Sequence, residues 1–450
     1  MAIAESIDQS PLSGATHNIA AGLDLYRFDA LSEETVLCAK QAILDWFACT
    51  LAGATEPLTD ILCEELSGSG AHHIVGRTEK AALIDSALIN GSASHALDFD
   101  DVSSTMGGHP TVAIFPAVLA LAEKTGASGK DIITAFVAGY EASCRVGQLA
   151  MPSHYINGFH ATGTVGAFGA AAAAAKLMGL TVDQTAMAFG IAGAQAAGLK
   201  SMFGTMTKPF HAGKSAANGL MAARLAARGF TANDEVLETD QGFLATQSQE
   251  TGKELRTIEP GQHIRKNLYK YHAACYLTHS GIEVTKKLVA QHQIAPDQVD
   301  SIHVHVPEGH LRVCNIQSPT TGLETKFSLR HTQAFALHGY DTAVLDTYSD
   351  QNANDPKLQA TREKVSVIAD MAPGTRTRVS IATSTDTYSG DIDVGIPAED
   401  LSDQQHKLDE KFMSLASSRL GREKAHQVKD RLGALEQEDT LSSILELCIA

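Results

Sequence analysis

The chain's 450 residues, 44% hydrophobic and 19% charged, have the makeup of a folded globular protein with a sizeable core in two or three domains. Its formal charge of −17 argues against nonspecific nucleic-acid binding and against attraction to anionic membranes, so neither is an expected partner. Small anionic substrates respond to local potential and stay open. Seven scattered cysteines without a CxxC pair suit free thiols in a reducing cytoplasm, and the opening residues lack a basic or long apolar leader.

Ser32-Glu33-Glu34-Thr35 opens a helix whose apolar positions Val36, Ala39, Ile43, Trp46 and Phe47 recur at helical spacing, with Gly53 as a stop. A short helix follows at about Leu58–Leu66. Lys80 then begins a helix that runs into His95-Ala96-Leu97-Asp98-Phe99-Asp100-Asp101. At helical spacing His95, Asp98 and Asp101 fall on one side. Carboxylates at a helix C-terminus oppose the macrodipole, so their density there suggests use.

Helix follows helix from His109 to about Gly229: Thr111–Lys124, Lys130–Gln148, Thr162–Met178, Val182–Leu199 and Gly213–Ala227. Ser128 with Asp131, and Thr181 with Gln184, have capping spacing. The glycines and alanines of 163–175 imply close helix packing. No stretch reads as a membrane span; the most suspect, Gly163–Met178, carries Lys176. From about residue 268 the pattern changes to period-two runs at 298–306, 365–368, 378–382 and 391–394, with helices at about 279–290 and 327–337. Past Pro397 the chain is helical and charged again. The expected fold class is mainly α: an all-helical domain over 1–268, a smaller α+β domain over 269–402, and helices of 403–450 returning to the first.

Several motifs fail. Gly213-Lys214-Ser215 lacks the glycine and the strand of a phosphate loop, and there is no GxGxxG or GxSxG. His303 and His305 share a strand face without a visible third ligand. Asp98, Asp100 and Asp101 lack the alternation of a calcium loop, so no metal is expected. Three other constellations carry chemistry. His160 starts a glycine-rich helix, where the positive dipole end favours its neutral, proton-accepting form. Lys208 sits in a loop bounded by Pro209 between two largely apolar helices, where a lysine either has a lowered pKa or stays charged and pairs with a substrate carboxylate. Arg265, Lys266 and Lys270 form a basic patch in an acidic chain, suited to holding anions.

The blocks HALDFDD…GHP, GFHATGTVGAFGAAAAAAKLMGL, TMTKPFHAGKSAANG, KYHAACYLTH and KFSLRHTQAFAL resemble, in order and over nearly the whole chain, those of the MmgE/PrpD family. The resemblance implies a helical domain with an α+β lid domain, a homodimer, and cofactor-free chemistry on polycarboxylates: dehydration of 2-methylcitrate, decarboxylation of cis-aconitate or epimerisation of iminodisuccinate. It places active-site positions on Asp98, His109, His160, Lys208 and Lys270. Val102 stands where the decarboxylase-like pattern has a threonine, in a turn one residue longer, and His331 stands where relatives usually carry a tyrosine. With these departures the chain looks most similar to the iminodisuccinate epimerase branch. The expected acid/base set is Lys208 with His160 or His331. Asp98 orients a histidine, and Arg265, Lys266 and Lys270 hold substrate carboxylates.

Overall fold

The computed structural model describes residues 14–255 and 259–449. Its contacts divide the chain into two units, one of Met1–Asn267 with Asp400–Ala450 and one of Leu268–Glu399. The fold is mainly α, with the sheet structure concentrated in the second unit.

In the first unit the helix Glu33–Gly53 starts at Ser32, whose side chain accepts the Thr35 amide. This helix corrects the sequence reading on one point. It is long and apolar enough to cross a membrane, but 78% of its apolar window is buried inside the unit. Its Trp46 and Phe47 begin a chain of edge-on aromatic contacts, with Trp46 4.9 Å from Phe115, Phe115 5.6 Å from Phe136, and Phe136 6.2 Å from Tyr140. Strand β1 (Ser67–His73) pairs with β2 (Lys80–Ala81), so the unit is not purely helical and the next helix runs Leu83–His95 rather than starting at Lys80. Gly68 and Gly70 hid this strand from a pattern search.

The helices Pro110–Thr125, Gly129–Ala150, Ala161–Met178 and Val182–Gly193 follow the expected order, and both capping boxes are formed. The next helix, Thr207–Ala226, crosses Leu83–His95 at a glycine contact. A Cβ on Gly213 would lie 2.1 Å from the Leu88 carbonyl oxygen, and one on Gly91 would lie 2.8 Å from the Gly213 Cα. The glycine of the failed phosphate motif therefore serves packing. Helices Leu401–Leu420 and Arg422–Gly433 complete this unit, burying Leu408, Phe412, Leu415, Val428 and Leu432.

The second unit is built on a four-stranded sheet of order β4-β3-β5-β6, from β3 (Val299–Pro307), β4 (Val365–Met371), β5 (Thr377–Thr383) and β6 (Thr387–Ile392). β3 runs parallel to β4 with Ile302 opposite Val365, and antiparallel to β5 with Val304 opposite Val379. Ile302, Val304 and Val306 point to a core shared with Val284 and Leu288 of the helix Tyr276–His292, while His303 and His305 take the other face. β6 lies before most of the expected 391–394 run. The Asp393 side chain accepts hydrogen bonds from Thr375 Oγ1 and the Gly395 amide, which bends that segment into a turn.

Candidate active site

The chemistry-bearing residues of the first unit meet where four helix ends converge. The Leu83–His95 helix stops at His95, and Asp98 takes a left-handed conformation (φ 52°) that turns the chain away. The shared helical face of His95, Asp98 and Asp101 therefore does not exist. Instead Asp100 lies between two imidazoles: its Oδ1 is 2.7 Å from His95 Nδ1, and its Oδ2 is 3.0 Å from His109 Nδ1. His109, at the N-cap of Pro110–Thr125, directs Nδ1–H to the Asp101 carbonyl at 2.8 Å. Its Nε2 faces Asp98 Oδ1 at 3.8 Å. Asp98 itself accepts a 2.7 Å hydrogen bond from Lys208 Nζ. Asp100 is thus the carboxylate lying between two imidazoles, while Asp98 pairs with the lysine and also stands within ion-pair distance of His109.

Lys208 lies in the first turn of Thr207–Ala226 rather than in a loop. Pro209 misled the reading: a proline is tolerated in a first turn, where its missing N–H has no helical partner anyway. One turn on, His211 brings Nδ1 to 3.1 Å from Nδ1 of His160, so one of these nitrogens donates to the other. His160 caps Ala161–Met178, and its amide is fixed to the Gly198 carbonyl at 3.0 Å. Its ring lies nearly parallel to that of His95 at 6.0 Å, with Phe203 edge-on at 5.0 Å. The Nε2 atoms of His95 and His160 are buried without a hydrogen-bond partner among the described residues.

Electrostatics sort these groups. Burial holds His95 down at about 4 against the pull of Asp100, and it holds His160 well below the ordinary imidazole range, with the Lys208 charge adding to the effect. Burial alone raises the Asp100 carboxyl, but the two imidazoles beside it outweigh that and keep it ionised. Burial pushes Asp101 up to about 7, opposed by hydrogen bonds from Thr111 and Asn267. Asn267 Nδ2 donates to Asp101 at 2.7 Å and its Oδ1 accepts from Tyr140 at 2.9 Å, which ties the loop to the aromatic core.

The structure brings Asp98, His109, His160 and Lys208 into one cluster. Sequence reasoning missed the roles of His95, Asp100 and His211, which lay in the quoted motifs but whose partners are set by chain reversal. The guanidinium of Arg265 lies 3.5 Å from Glu34 and 3.2 Å from Glu259, both largely exposed carboxylates, so a substrate carboxylate would compete with them for its charge. Lys266 is exposed in the 3₁₀ turn Ile264–Lys266. Lys270 and His331 belong to the second unit. Lys270 is buried there at 1% exposure. His331 is fully buried, with its ring 4.7 Å from Phe335, and burial with the nearby Arg362 charge lowers it to about 4.

One ligand atom each from His95, Asp98, Asp100 and His109 lies within 4.8 Å of the others, the spacing of a possible cation site. Lys208 already supplies a positive charge to Asp98 there. Asp101, the third carboxylate weighed for a cation, is not part of that group.

Imidazoles, a carboxylate between two of them and a lysine–aspartate pair thus meet at helix ends, the residue types from which proton-transfer sites are built. The chain belongs to the MmgE/PrpD family: the model of the MmgE/PrpD N-terminal domain matches residues 17–256 and that of the C-terminal domain matches 272–437. It is similar to a cis-aconitate decarboxylase of Aspergillus terreus, 31% identical over 303 residues, which are 63% of this chain and 62% of the relative. It is also similar to the human cis-aconitate decarboxylase, 27% identical over 372 residues, 79% of this chain and 76% of that protein. The match thus spans about three fifths of the length of the fungal relative.

Proposed function

We propose that this protein is a cofactor-independent epimerase that removes a proton from the carbon next to a carboxylate of a polycarboxylate, iminodisuccinate, and returns it to the opposite face. The observation that carries this reading is the 2.7 Å Lys208–Asp98 pair set beside the buried Nε2 of His160, which has no hydrogen-bond partner among the described residues. The α-carbon's C–H bond breaks, its proton passes to an imidazole nitrogen, and its electron pair moves into the adjacent carboxylate as an enediolate. The Lys208 ammonium is the preorganised charge that stabilises this dianion. A substrate carboxylate entering the cluster raises the His160 pKa from its depressed value toward neutrality, supplying the basicity that proton abstraction needs. A proton taken at Nε2 has an onward path through Nδ1 to His211. Reprotonation from the opposite face requires a second donor, a role we assign to Lys208.

A second reading is decarboxylation of cis-aconitate, favoured by the names of the relatives. It needs the same stabilised carbanion but releases carbon dioxide. Val102 and His331, at the places of a threonine and a tyrosine in the family pattern, weigh against it.

Proton NMR of the purified protein in deuterated buffer, with iminodisuccinate stereoisomers, cis-aconitate and 2-methylcitrate, tests both. We expect deuterium to enter an α-position with stereoisomer interconversion and no loss of mass beyond exchange. A new alkene or released carbon dioxide overturns the epimerase. In the same assay Lys208→Met should reduce exchange by about 10²–10⁴-fold with the helical fold retained; undiminished exchange removes Lys208 from the acid/base set.

A further inference from the structure

The acidic loop is gripped from behind by a residue more than 300 positions away in the sequence. Lys411, on the Leu401–Leu420 helix, places Nζ 2.6 Å from Asp45 Oδ1 and 2.6 Å from the carbonyl oxygen of Phe99. The same ammonium stands 4.0 Å from the centre of the Phe99 ring. Its side chain is 5% exposed and that of Asp45 is 1% exposed, so a charged pair has been taken fully into the helical unit. Burying such a pair gives little net stability compared with a well-packed apolar one, so its presence calls for a role in specificity or positioning.

Phe99 stands between Asp98, which holds Lys208, and Asp100, which lies between His95 and His109. Fixing its carbonyl fixes the peptide plane from which Asp100 departs, and burying its ring at 1% exposure fixes the turn that the left-handed Asp98 begins. Covering the loop would need only an apolar side chain on the Leu401–Leu420 helix. Gripping a main-chain carbonyl needs a donor, and holding that donor in the core needs Asp45.

We infer that Lys411 and Asp45 are positioning residues for the acid/base centre, holding the Asp98–Asp101 loop through the Phe99 carbonyl so that both carboxylates keep their partners. This rests on the acid/base reading of the loop, and the test separates the two. Lys411→Met with Asp45→Leu replaces the pair by apolar side chains, leaving no unpaired charge in the core while removing the donor to Phe99.

In this double variant, hydrogen exchange followed by mass spectrometry should show amides of residues 97–102 exchanging at least about tenfold faster, with the Ala161–Met178 and Gly129–Ala150 helices unchanged. On the substrate that the wild type turns over, kcat should fall about 10–100-fold while KM stays within about twofold. Lys411→Arg, which keeps the charge and a donor, should restore loop protection to within about threefold of wild type. If the double variant does not fold, Lys411→Met with Asp45→Asn replaces it, which likewise lacks the donor and the buried charge, with the loop expected to loosen at least about threefold.

Wild-type loop protection in a folded variant that lacks the ammonium overturns the inference, as does uniform loss of protection across the unit. If the wild type turns over none of the polycarboxylates, the proposed function fails, while loop exchange still decides the role of Lys411.

Discussion

At the scale of single residues the site is a problem of buried charge. Asp101 shows the balance most clearly, because burial raises its carboxyl to about 7 against the donors Thr111 and Asn267. With a folded pKa above the unfolded carboxylate value, Asp101 contributes stability that is fully present below about pH 4 and lost as pH rises through 7. His95 acts in the opposite sense. Its folded value near 4 lies below the ordinary imidazole value, so its contribution is present above about pH 6.5 and lost as pH falls through 4. The two trends offset one another in the wild type between pH 4.5 and 7. Asp101→Asn removes the first alone. Urea denaturation should therefore show the variant's disadvantage shrinking from pH 4.5 to 7.5, by up to roughly 1.4 kcal/mol per pH unit. A constant difference across that range would mean that Asp101 does not titrate there.

What the sequence showed of these residues followed from local rules and from the family resemblance. His160 stood out because a glycine-rich helix follows it, His109 through the family resemblance, and both are N-caps. Asp98 was found, but the helical face it was given with His95 and Asp101 is absent, since helical spacing was carried past a helix that ends at His95. Its lysine is 110 positions away and His211 is 51 positions from His160, separations that no local pattern reports.

At the scale of elements, the approach of Thr207–Ala226 to Leu83–His95 decides whether Lys208 can reach Asp98. That approach depends on Gly213, whose Cβ would lie 2.1 Å from a main-chain oxygen that cannot rotate away. Gly213→Ala should force the helices apart and cost about 1–3 kcal/mol of stability. Activity should fall further than global stability accounts for, because the lysine–aspartate bond lengthens with the crossing. Chemical denaturation beside the exchange assay checks this; wild-type stability and turnover would show that the crossing tolerates a methyl group. Alanines 170–175 were read correctly as packing residues, because small side chains at consecutive positions have no other use in a buried helix. Strand β1 was missed because its glycines conceal the alternation that marks a strand.

At the scale of the whole molecule, the helical unit is discontinuous: Asp400–Ala450 returns to it after the second unit has been built. The returning helices bury Leu408, Phe412, Leu415, Val428 and Leu432 and supply Lys411 to the site loop. Five such side chains are worth on the order of 10 kcal/mol, comparable to the entire stability of an ordinary domain. A chain ending at Glu399 should therefore show no cooperative thermal transition for its helical part, measured by circular dichroism at 222 nm. A sharp transition near the full-length value would show that the returning helices are dispensable.

By itself the sequence determined the helix-rich character of the chain, the caps at Ser32, Ser128 and Thr181, the change to period-two strands, and most of the side chains able to move protons. Those features are set by residues within a few positions of one another, where spacing and backbone preference act directly. Only the tertiary structure decided that Asp100 rather than Asp98 lies between the histidines, that Asp98 belongs to Lys208, that Arg265 is already paired, and that Lys411 holds the loop. Those partnerships are made across distant stretches of chain, where burial and the close crossing of helices, not local spacing, choose which charges meet.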